Sequence, residues 1–327
     1  MLYAPVLTVG THTFMPTNGF RACGYLEWTI SRRAERLAGQ RITGSEQNET
    51  FAMNLRFWGV RGSIPTPESD RLRYGGNTTC LEIGNLDKKE AVLIDCGSGI
   101  RAPGIELMRR PGSRIHILLT HFHWDHIQGL PSFAPLFQSG MEIIFYANRP
   151  TDQVRRLLGV LMAEPFFPVP FAEIGSRVDF RQVECGKVFQ AGPLTVEAFP
   201  LNHPQGAVGF RAESDGQVMV HASDHEHGNQ EIDAGLIRAA KNADLLVIDA
   251  QYTPEEYAKK VGWGHSSYGH AAQAAKDADV SRLLLFHHDP NHNDEFLDGM
   301  LADAKTMFRR TGMATEGAAL DITQFGE

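Results

Sequence analysis

One seven-residue segment limits the possible fold and chemistry of this chain more than any other part of it. It is the run Thr120-His121-Phe122-His123-Trp124-Asp125-His126. It follows the apolar run Arg114–Leu119, which predicts a buried strand. Imidazole and carboxylate ligands on the loop after such a strand suit zinc, manganese or iron. Because the four side chains cannot all converge on one ion, we expect His121 and His123 to point at one metal ion and Asp125 and His126 at a second.

A two-metal site needs ligands from elsewhere, and three candidates each follow an apolar run. They are His203, Asp224 and His287. Strand ends converge at one edge of a sheet, so distant residues can meet there, and the two oxygens of Asp224 can bridge two ions about 3.5–4 Å apart. The chain has 14 histidines, so neighbouring residues compete for these roles: His221, His225, His227 and His288. We expect His225 and His227 to face solvent or support the ligands, and we prefer His287 to His288 only because it comes first after the strand.

Composition limits the class of protein. A hydrophobic content of 42% and a charged content of 21% are typical of a packed globular chain. The net charge of −8 argues against a sequence-blind nucleic-acid binder, which needs a basic face. No apolar run is long enough to span a bilayer, and Met1–Gly10 lacks the pattern of a signal peptide. The four cysteines form no CxxC pair, which favours a reducing cytoplasm.

The chain divides near Met53. Residues 1–52 are polar, with one predicted helix (Tyr25–Leu37), and we expect them to be an extension outside the fold, the alternative being an oligomerisation arm. Residues 53–327 would form the hydrolase domain. There, closely spaced early strands give way to strands that alternate with helices, which favours an α+β fold of two mixed sheets packed face to face with helices outside.

The HxHxDH cluster, followed in order by His203, Asp224 and His287, resembles the metal-binding pattern of the metallo-β-lactamase superfamily. The resemblance covers roughly Leu55 to the C-terminus and implies an αββα sandwich with a dinuclear site. It implies that one metal is held by His121, His123 and His203 and the other by Asp125, His126 and His287, with Asp224 bridging. Zinc is the first expectation for both ions, with manganese or iron as alternatives.

Further segments are similar to the phosphodiesterase branch of that superfamily, which includes ribonuclease Z and small-molecule phosphodiesterases. They are Asp95-Cys96-Gly97 and Gly264-His265-Ser266-Ser267. The resemblance implies that His265 is an electrophile or general acid, that Asp249 orients it, and that Ser266 lies at the substrate. His265 could instead be a loop histidine that caps the next helix. An aspartate at the bridging position, where the β-lactam-hydrolysing branch has a cysteine, disfavours antibiotic hydrolysis.

The chain departs from ribonuclease Z in having no long arm to grip transfer RNA. Between His126 and His203 the unusual sequence is the short apolar stretch 163–170, whose Phe166 or Phe167 would stack on a base. Arg61 and Asn77 lie in two glycine-containing turns that would present a phosphate-binding surface, although such turns also simply join early strands.

These observations predict a dinuclear phosphodiesterase for a small phosphodiester such as a cyclic nucleotide, with hydroxide from a metal-activated water as the nucleophile. Asp125 would receive a proton as well as bind metal. The alternatives are an RNA 3′-processing endonuclease, a lactonase or phosphotriesterase, and a metal-binding or redox-sensing module without hydrolysis. We expect the enzyme to be a homodimer. We expect it to bind a small-molecule substrate and not a membrane or an extended nucleic acid.

Overall fold

Fourteen strands are present in the computed structural model of the chain, which describes residues 53–84 and 89–322. In chain order they are β1 (Asn54–Gly59), β2 (Cys80–Ile83), β3 (Glu90–Ile94), β4 (Arg114–Leu119), β5 (Glu142–Ala147), β6 (Arg177–Gln182), β7 (Val188–Ala191), β8 (Leu194–Leu201), β9 (Ala207–Ser214), β10 (Gln217–Ala222), β11 (Leu245–Asp249), β12 (Leu283–Phe286), β13 (Thr311–Met313) and β14 (Ala319–Asp321).

The strands form two mixed sheets of seven, and the two sheets share one organisation. The first has the order β14-β1-β2-β3-β4-β5-β6, and the second has the order β13-β12-β11-β10-β9-β8-β7. In each sheet the first strands along the chain pair antiparallel and the next ones pair parallel, with the change at β3–β4 and at β10–β11. In the first sheet the last strand, β14, pairs antiparallel with β1. Parallel strands are normally covered on both faces, and this explains why the buried residues of β4 and β11 are apolar, except for His116 and Asp249.

Helices connect the strands, and most of them cover the outer faces of the sheets. They are α1 (Arg101–Leu107), α2 (Trp124–Ile127), α3 (Thr151–Leu161), α4 (Gln230–Ala240), α5 (Pro254–Tyr257), α6 (Tyr268–Asp277) and α7 (Asp294–Met307). Local sequence explains where several of them begin, because a side chain accepts a hydrogen bond from an otherwise unpaired backbone N–H. Ser267 caps α6 in this way and Asn293 caps α7, while Thr253 and Glu256 form a capping box on α5.

The buried apolar side chains form three layers. The central layer lies between the sheets and contains Phe57, Leu118, Phe210 and Phe286. One outer layer packs α1 and α3 on the first sheet, and the other packs α4, α6 and α7 on the second. Successive residues of a strand point to opposite faces, so neighbours in one strand belong to different layers: Leu93 faces the helices and Ile94 faces the other sheet.

This architecture confirms the predicted αββα sandwich. The sequence-based assignment missed five strands, β6, β7, β9, β13 and β14, and the short helices α1 and α2. Three of these strands consist almost entirely of exposed or half-exposed residues and therefore lack the continuous apolar run that signals a buried strand. The predicted extension 1–52, including its helix Tyr25–Leu37, lies outside the described residues. Within the described ranges, none of the helices has the length and apolar character needed to cross a membrane.

Candidate metal centre

The residues of the predicted metal site come from the ends of strands in both sheets. His121, His123, Asp125 and His126 follow β4 of the first sheet. His203 follows β8, Asp224 follows β10 and His287 follows β12, all in the second sheet. The structure brings all seven side chains together, and Asp125, His126, Asp224 and His287 are almost completely buried.

Three of the strand-end residues adopt the left-handed backbone conformation that is rare for residues other than glycine. The φ angles are 63° at Asp95, 61° at Asp224 and 63° at His287. Such backbone strain clusters at functional sites, where the surrounding structure holds it in place. The neighbouring Gly62 is required sterically, because a Cβ there would overlap the His287 ring. Each of these turns aims a polar side chain at the same point.

Asp224 lies between two groups of ligands and faces each with a different oxygen. Its Oδ1 lies 3.1 Å from Nε2 of His126 and 3.2 Å from Nε2 of His287. Its Oδ2 lies 3.6 Å from Nε2 of His121 and 3.5 Å from Nε2 of His203. The remaining two residues extend the groups: Asp125 Oδ2 is 3.1 Å from His287 Nε2, and His123 Nδ1 is 3.0 Å from His203 Nε2. The arrangement matches a pair of ions that share Asp224.

Hydrogen bonds on the outer nitrogens fix how the imidazoles face the centre. Nδ1 of His126 donates to Asp95 at 2.7 Å, Nδ1 of His287 to Gln251 at 3.0 Å, and Nδ1 of His203 to the carbonyl of Gly264 at 2.8 Å. With Nδ1 occupied in this way, Nε2 is free to act as the ligand atom.

The donor set fits divalent cations. Nε2 of His121 is buried and has no hydrogen-bond partner, a costly situation that a bound ion relieves. Burial, together with the charge of His126, lowers the pKa of His121 well below its usual range, which keeps the imidazole in its neutral, ligating form. Burial opposes ionisation of Asp224, but His287, His126 and His121 hold its pKa well below the ordinary value.

His265 lies beside the cluster with Asp249 behind it. Its ring stacks on His287 at 4.9 Å and meets His203 edge-on at 5.2 Å, while its Nδ1 lies 2.7 Å from Asp249 Oδ2. Burial alone would lower the pKa of His265, but the charge and hydrogen bond of Asp249, with Asp224 and Asp125, raise it to about 9. With Nδ1 of His265 held by Asp249, Nε2 is the ring nitrogen that remains for contact with a substrate.

Two predicted substrate contacts, Arg61 and Ser266, need correction because both residues are fully buried, and a third, Asn77, is half-buried and hydrogen-bonded within the fold. Arg61 is fully buried, and its guanidinium donates to the carbonyls of Gly75, Asp289 and His292. Ser266 is also fully buried; its backbone N–H donates to Asp249 and its hydroxyl to the carbonyl of His225. The Asn77 side chain donates to Glu316 and accepts from Ser98. These contacts leave no exposed group for a substrate at Arg61 or Ser266.

The aromatic residues of the 163–170 segment are separate from the cluster. Phe166 is 74% exposed, and Phe167 packs at 6.2 Å on Phe137. Neither belongs to the cavities described below beside the histidines. The segment therefore supplies exposed apolar surface at the end of α3, and its role in stacking on a base stays a prediction.

The competing histidines point elsewhere. His288 is buried and contacts the carbonyl of Ala314, outside the cluster. His225, expected to face solvent or support the ligands, is fully buried between Asn202 and Asp233. His227 is half-buried and contacts Ser266. The structure therefore places His287, and not its neighbour, beside Asp125 and Asp224.

Sequence reasoning gave no role to two residues that the structure places directly behind ligands, Asp95 and Gln251. Asp95 accepts from His126 and also from the backbone N–H of Thr120 at 2.8 Å. Its position one residue after β3 was a usable signal, because the same strand-end placement singled out Asp224. Gln251 carried no such signal, since its contact with His287 depends on how two parallel strands are aligned.

Comparisons with known proteins agree with this geometry. The profile of the beta-lactamase superfamily domain matches residues 90–288. Ribonuclease Z of Streptococcus suis is 30% identical over 328 aligned positions, covering 83% of this chain and all of that protein. Among solved structures, the metallo-beta-lactamase fold protein YhfI from Bacillus subtilis aligns with a TM-score of 0.63 at 20% identity, covering 82% of this chain and 98% of YhfI. Human tRNase Z, short form, aligns with a TM-score of 0.54 at 22% identity, covering 83% and 99%.

The extent of the profile match and the relationship to ribonuclease Z establish the family, and the clustered histidines and aspartates provide the ligands that its divalent metal ions require. The chain belongs to the metallo-β-lactamase superfamily, in its ribonuclease Z-like branch, and is a metal-dependent hydrolase.

Proposed function

We propose that this enzyme hydrolyses a compact phosphodiester, such as a cyclic nucleotide, at a dinuclear centre made of the seven clustered residues. The observation that carries the proposal is the position of Asp224, whose two oxygens face two separate ligand groups. A pair of divalent cations held in this way lowers the pKa of water and neutralises phosphate oxygens.

The chain's own residues supply the proton transfers. The held imidazole of His265 is positioned to donate a proton to the leaving oxygen or to stabilise negative charge on the phosphate. Asp249 keeps His265 in one orientation through the 2.7 Å contact to Nδ1. Asp125 is fixed by the backbone N–H of Ser63, which donates to Oδ2 at 2.7 Å, and we propose that this carboxylate accepts a proton as well as binding metal.

Two observations favour a compact substrate over precursor transfer RNA. The net charge of −8 opposes a long polyanion. The alignment with Streptococcus suis ribonuclease Z has 328 positions but includes only 83% of these 327 residues, about 271, so about 57 positions have no counterpart here. Much of the polymer-gripping surface of a ribonuclease can reside in such additional sequence.

RNA 3′ processing is the second candidate, and a specific observation favours it. The curated relatives named ribonuclease Z or ribonuclease BN include Escherichia coli and Oenococcus oeni proteins that match over 83% of this chain. Cleavage of a precursor transfer RNA and of a small diester both break a phosphodiester bond, so the same centre supports either. The two candidate functions differ in the protein surface that they require around the centre, and a comparison of substrates decides between them.

The test compares four substrate types on metal-loaded protein: bis(p-nitrophenyl) phosphate, a panel of cyclic nucleotides, a precursor transfer RNA and a lactone. We expect diester and cyclic nucleotide hydrolysis that Asp224→Ala abolishes. Preferential cleavage of the transfer RNA would select the second candidate. Lactone hydrolysis without diester hydrolysis, despite two bound metals, would overturn the phosphodiesterase proposal in favour of a carbonyl-hydrolysing enzyme.

The proposal also covers the identity of the metal, the oligomeric state and the cellular compartment. We propose zinc as the resident ion, with manganese or iron as the alternatives, and elemental analysis of the purified enzyme identifies it. We propose a homodimer, which sedimentation equilibrium measures. A reducing cytoplasm is supported by the cysteines in the described ranges, Cys80, Cys96 and Cys185, which are all free.

A further inference from the structure

Two adjoining cavities of about 300 and 310 Å³ open beside the ligands His121 and His123. Both are lined by His121, Phe122, Arg149 and Gln205, and the first also by His123 and Gln153. They therefore form a recess that touches the metal centre at one end. A group bound in this recess would be a near neighbour of a phosphate bound at the metals.

The recess contains one permanently charged side chain, that of Arg149. Its Nη2 donates to the carbonyl of Gln205 at 3.1 Å, and its guanidinium lies 5.8 Å from the centre of the Phe122 ring. The Gln205 side chain in turn contacts Nε2 of His123 at 3.2 Å. Arg149 is thus held in the recess by two residues that adjoin the centre.

The charge of Arg149 is not neutralised by these contacts. They are a main-chain carbonyl and an aromatic ring, and within residues 53–84 and 89–322 no carboxylate forms an ion pair with this guanidinium. A guanidinium has five N–H donors in a planar fork, and the bond to Gln205 uses one of them. The remaining donors can bind two oxygens of a phosphate side by side.

A third cavity, which is lined in part by His203, has a lining of the opposite charge. It measures about 800 Å³ and is lined by Glu226 and Glu231 together with the amides of Asn202 and Asn229. Carboxylates repel a phosphate, whereas amides and carboxylates suit hydroxyl groups and uncharged rings. The centre is therefore flanked by one recess that attracts anions and one cavity that disfavours them.

We propose that Arg149 forms an anion-binding subsite for a second phosphate of the substrate, next to the phosphate that is cleaved. This inference rests on the proposed phosphodiesterase function and narrows it to compact diesters that carry a further phosphate group. Gln153, which lines the same recess on the first turn of α3, adds a neutral hydrogen-bond donor for that group. The substrate would then lie with its anionic end towards Arg149 and its uncharged portion towards Glu226 and Glu231.

Binding measurements test the subsite without relying on turnover. Calorimetry on the metal-loaded enzyme compares thymidine 3′,5′-bisphosphate with thymidine 5′-monophosphate, which lacks the second phosphate. We expect the bisphosphate to bind about tenfold more tightly, equivalent to about 1.4 kcal/mol. In Arg149→Gln this ratio should fall to about one, and in Arg149→Lys it should be partly restored because the charge is kept without the fork.

Arg155→Gln is the matched control, because Arg155 lies on α3, which begins two residues after Arg149, but stacks on Phe180 and does not line the recess. This variant should keep the tenfold ratio. A ratio near one in the wild type, or a ratio that survives Arg149→Gln, would overturn the subsite.

Turnover separates this inference from the function on which it rests. The p-nitrophenyl ester of thymidine 5′-monophosphate is compared with the same ester carrying a 3′-phosphate. We expect Arg149→Gln to lower kcat/KM about tenfold for the second ester and less than twofold for the first. If the wild type hydrolyses neither ester, the phosphodiesterase proposal fails, while the calorimetric ratio still decides whether Arg149 binds a phosphate.

Discussion

The carboxylate of Asp249 lies 2.7 Å from Nδ1 of His265, and both residues stand at the margin of the ligand cluster. Asp249 is fully buried, and its other oxygen accepts the backbone N–H groups of Gln251 and Ser266, each at 3.1 Å. Two backbone N–H groups therefore fix the carboxylate in addition to its contact with the imidazole. The pair therefore places an oriented histidine next to the metal centre, and this histidine need not be a metal ligand.

His265→Ala should lower kcat about 10²- to 10⁴-fold, the usual range for loss of a positioned acid or base. Both metals should remain, because the seven clustered ligands are unchanged. Elemental analysis measures the metal content and steady-state kinetics measures kcat. Asp249→Asn should lower kcat less than His265→Ala does, since it perturbs the orientation but keeps the ring. Unchanged turnover in His265→Ala would remove the residue from the mechanism.

His287→Ala and His288→Ala form a matched pair of adjacent, buried histidines. We expect the first variant to bind about one metal fewer per chain, because His287 lies 3.1 Å from Asp125 and 3.2 Å from Asp224. The second should retain the wild-type stoichiometry, since His288 contacts the carbonyl of Ala314 instead. Circular dichroism checks that both variants fold. Metal loss in His288→Ala alone would reverse the assignment.

Asp95→Asn should weaken metal binding about 10- to 100-fold while leaving every proposed ligand in place. Asp95 holds Nδ1 of His126 at 2.7 Å, and an amide at this position no longer provides the negative charge that orients and strengthens the ligand. Competition with a fluorescent chelator measures the affinity. Asp179→Asn, which alters an exposed ion pair with Arg181, serves as the control and should have no effect.

Acid should destabilise the protein partly through His116, which is 4% exposed and contacts Tyr146 at 2.9 Å. Burial lowers the pKa of His116 to about 4, whereas the unfolded chain titrates near 6.5. The unfolded state therefore binds more protons between these values, and stability falls as the pH drops from about 6.5 to about 4, by about 2–3 kcal/mol in total.

Urea denaturation at several pH values checks this prediction. His116→Gln, which cannot be protonated, should show a shallower loss of stability over that window than the wild type does. Identical pH profiles for the two proteins would mean that His116 does not carry the effect.

We also propose that the hydrolase domain begins at Met53. In the structure Met53 is fully buried, and its backbone N–H donates to Gln217 at 2.8 Å, so the described fold is anchored from this residue onwards. A chain beginning at Met53 should fold with the wild-type thermal midpoint and hydrolyse diesters at the wild-type rate. Loss of either property would assign residues 1–52 a part in folding, assembly or catalysis.

Sequence patterns identified the residues that cluster at the centre because their signal is local. Each of His203, Asp224 and His287 lies just after an apolar run, and the ends of such runs meet by topology. Arg61 and Ser266 were misjudged because their burial depends on distant partners, such as the carbonyl of His292 for Arg61. A polar residue in a glycine-containing turn has the same local pattern whether it faces solvent or supports the fold.

Local sequence patterns were also insufficient for finding some of the strands. The sequence indicated β4 and β11 because both of their faces are covered, so nearly every residue is apolar. Strand β6 has one buried residue, Phe180, among exposed and half-exposed ones and was missed, although it pairs with β5 along its whole length. Backbone pairing between strands imposes little pattern on the side chains. Edge strands are therefore recognised in the three-dimensional structure and not in the sequence.

The division of the ligands between the sheets has a consequence for how the molecule assembles. His121, His123, Asp125 and His126 belong to the first sheet, and His203, Asp224 and His287 belong to the second. A half-formed chain can offer only part of this set, so tight metal affinity arises only when both halves have reached their final register. The amount of metal bound then reports how completely the chain has folded. Because the ions bind residues from both halves, they stabilise the halves together and favour a single cooperative unfolding transition.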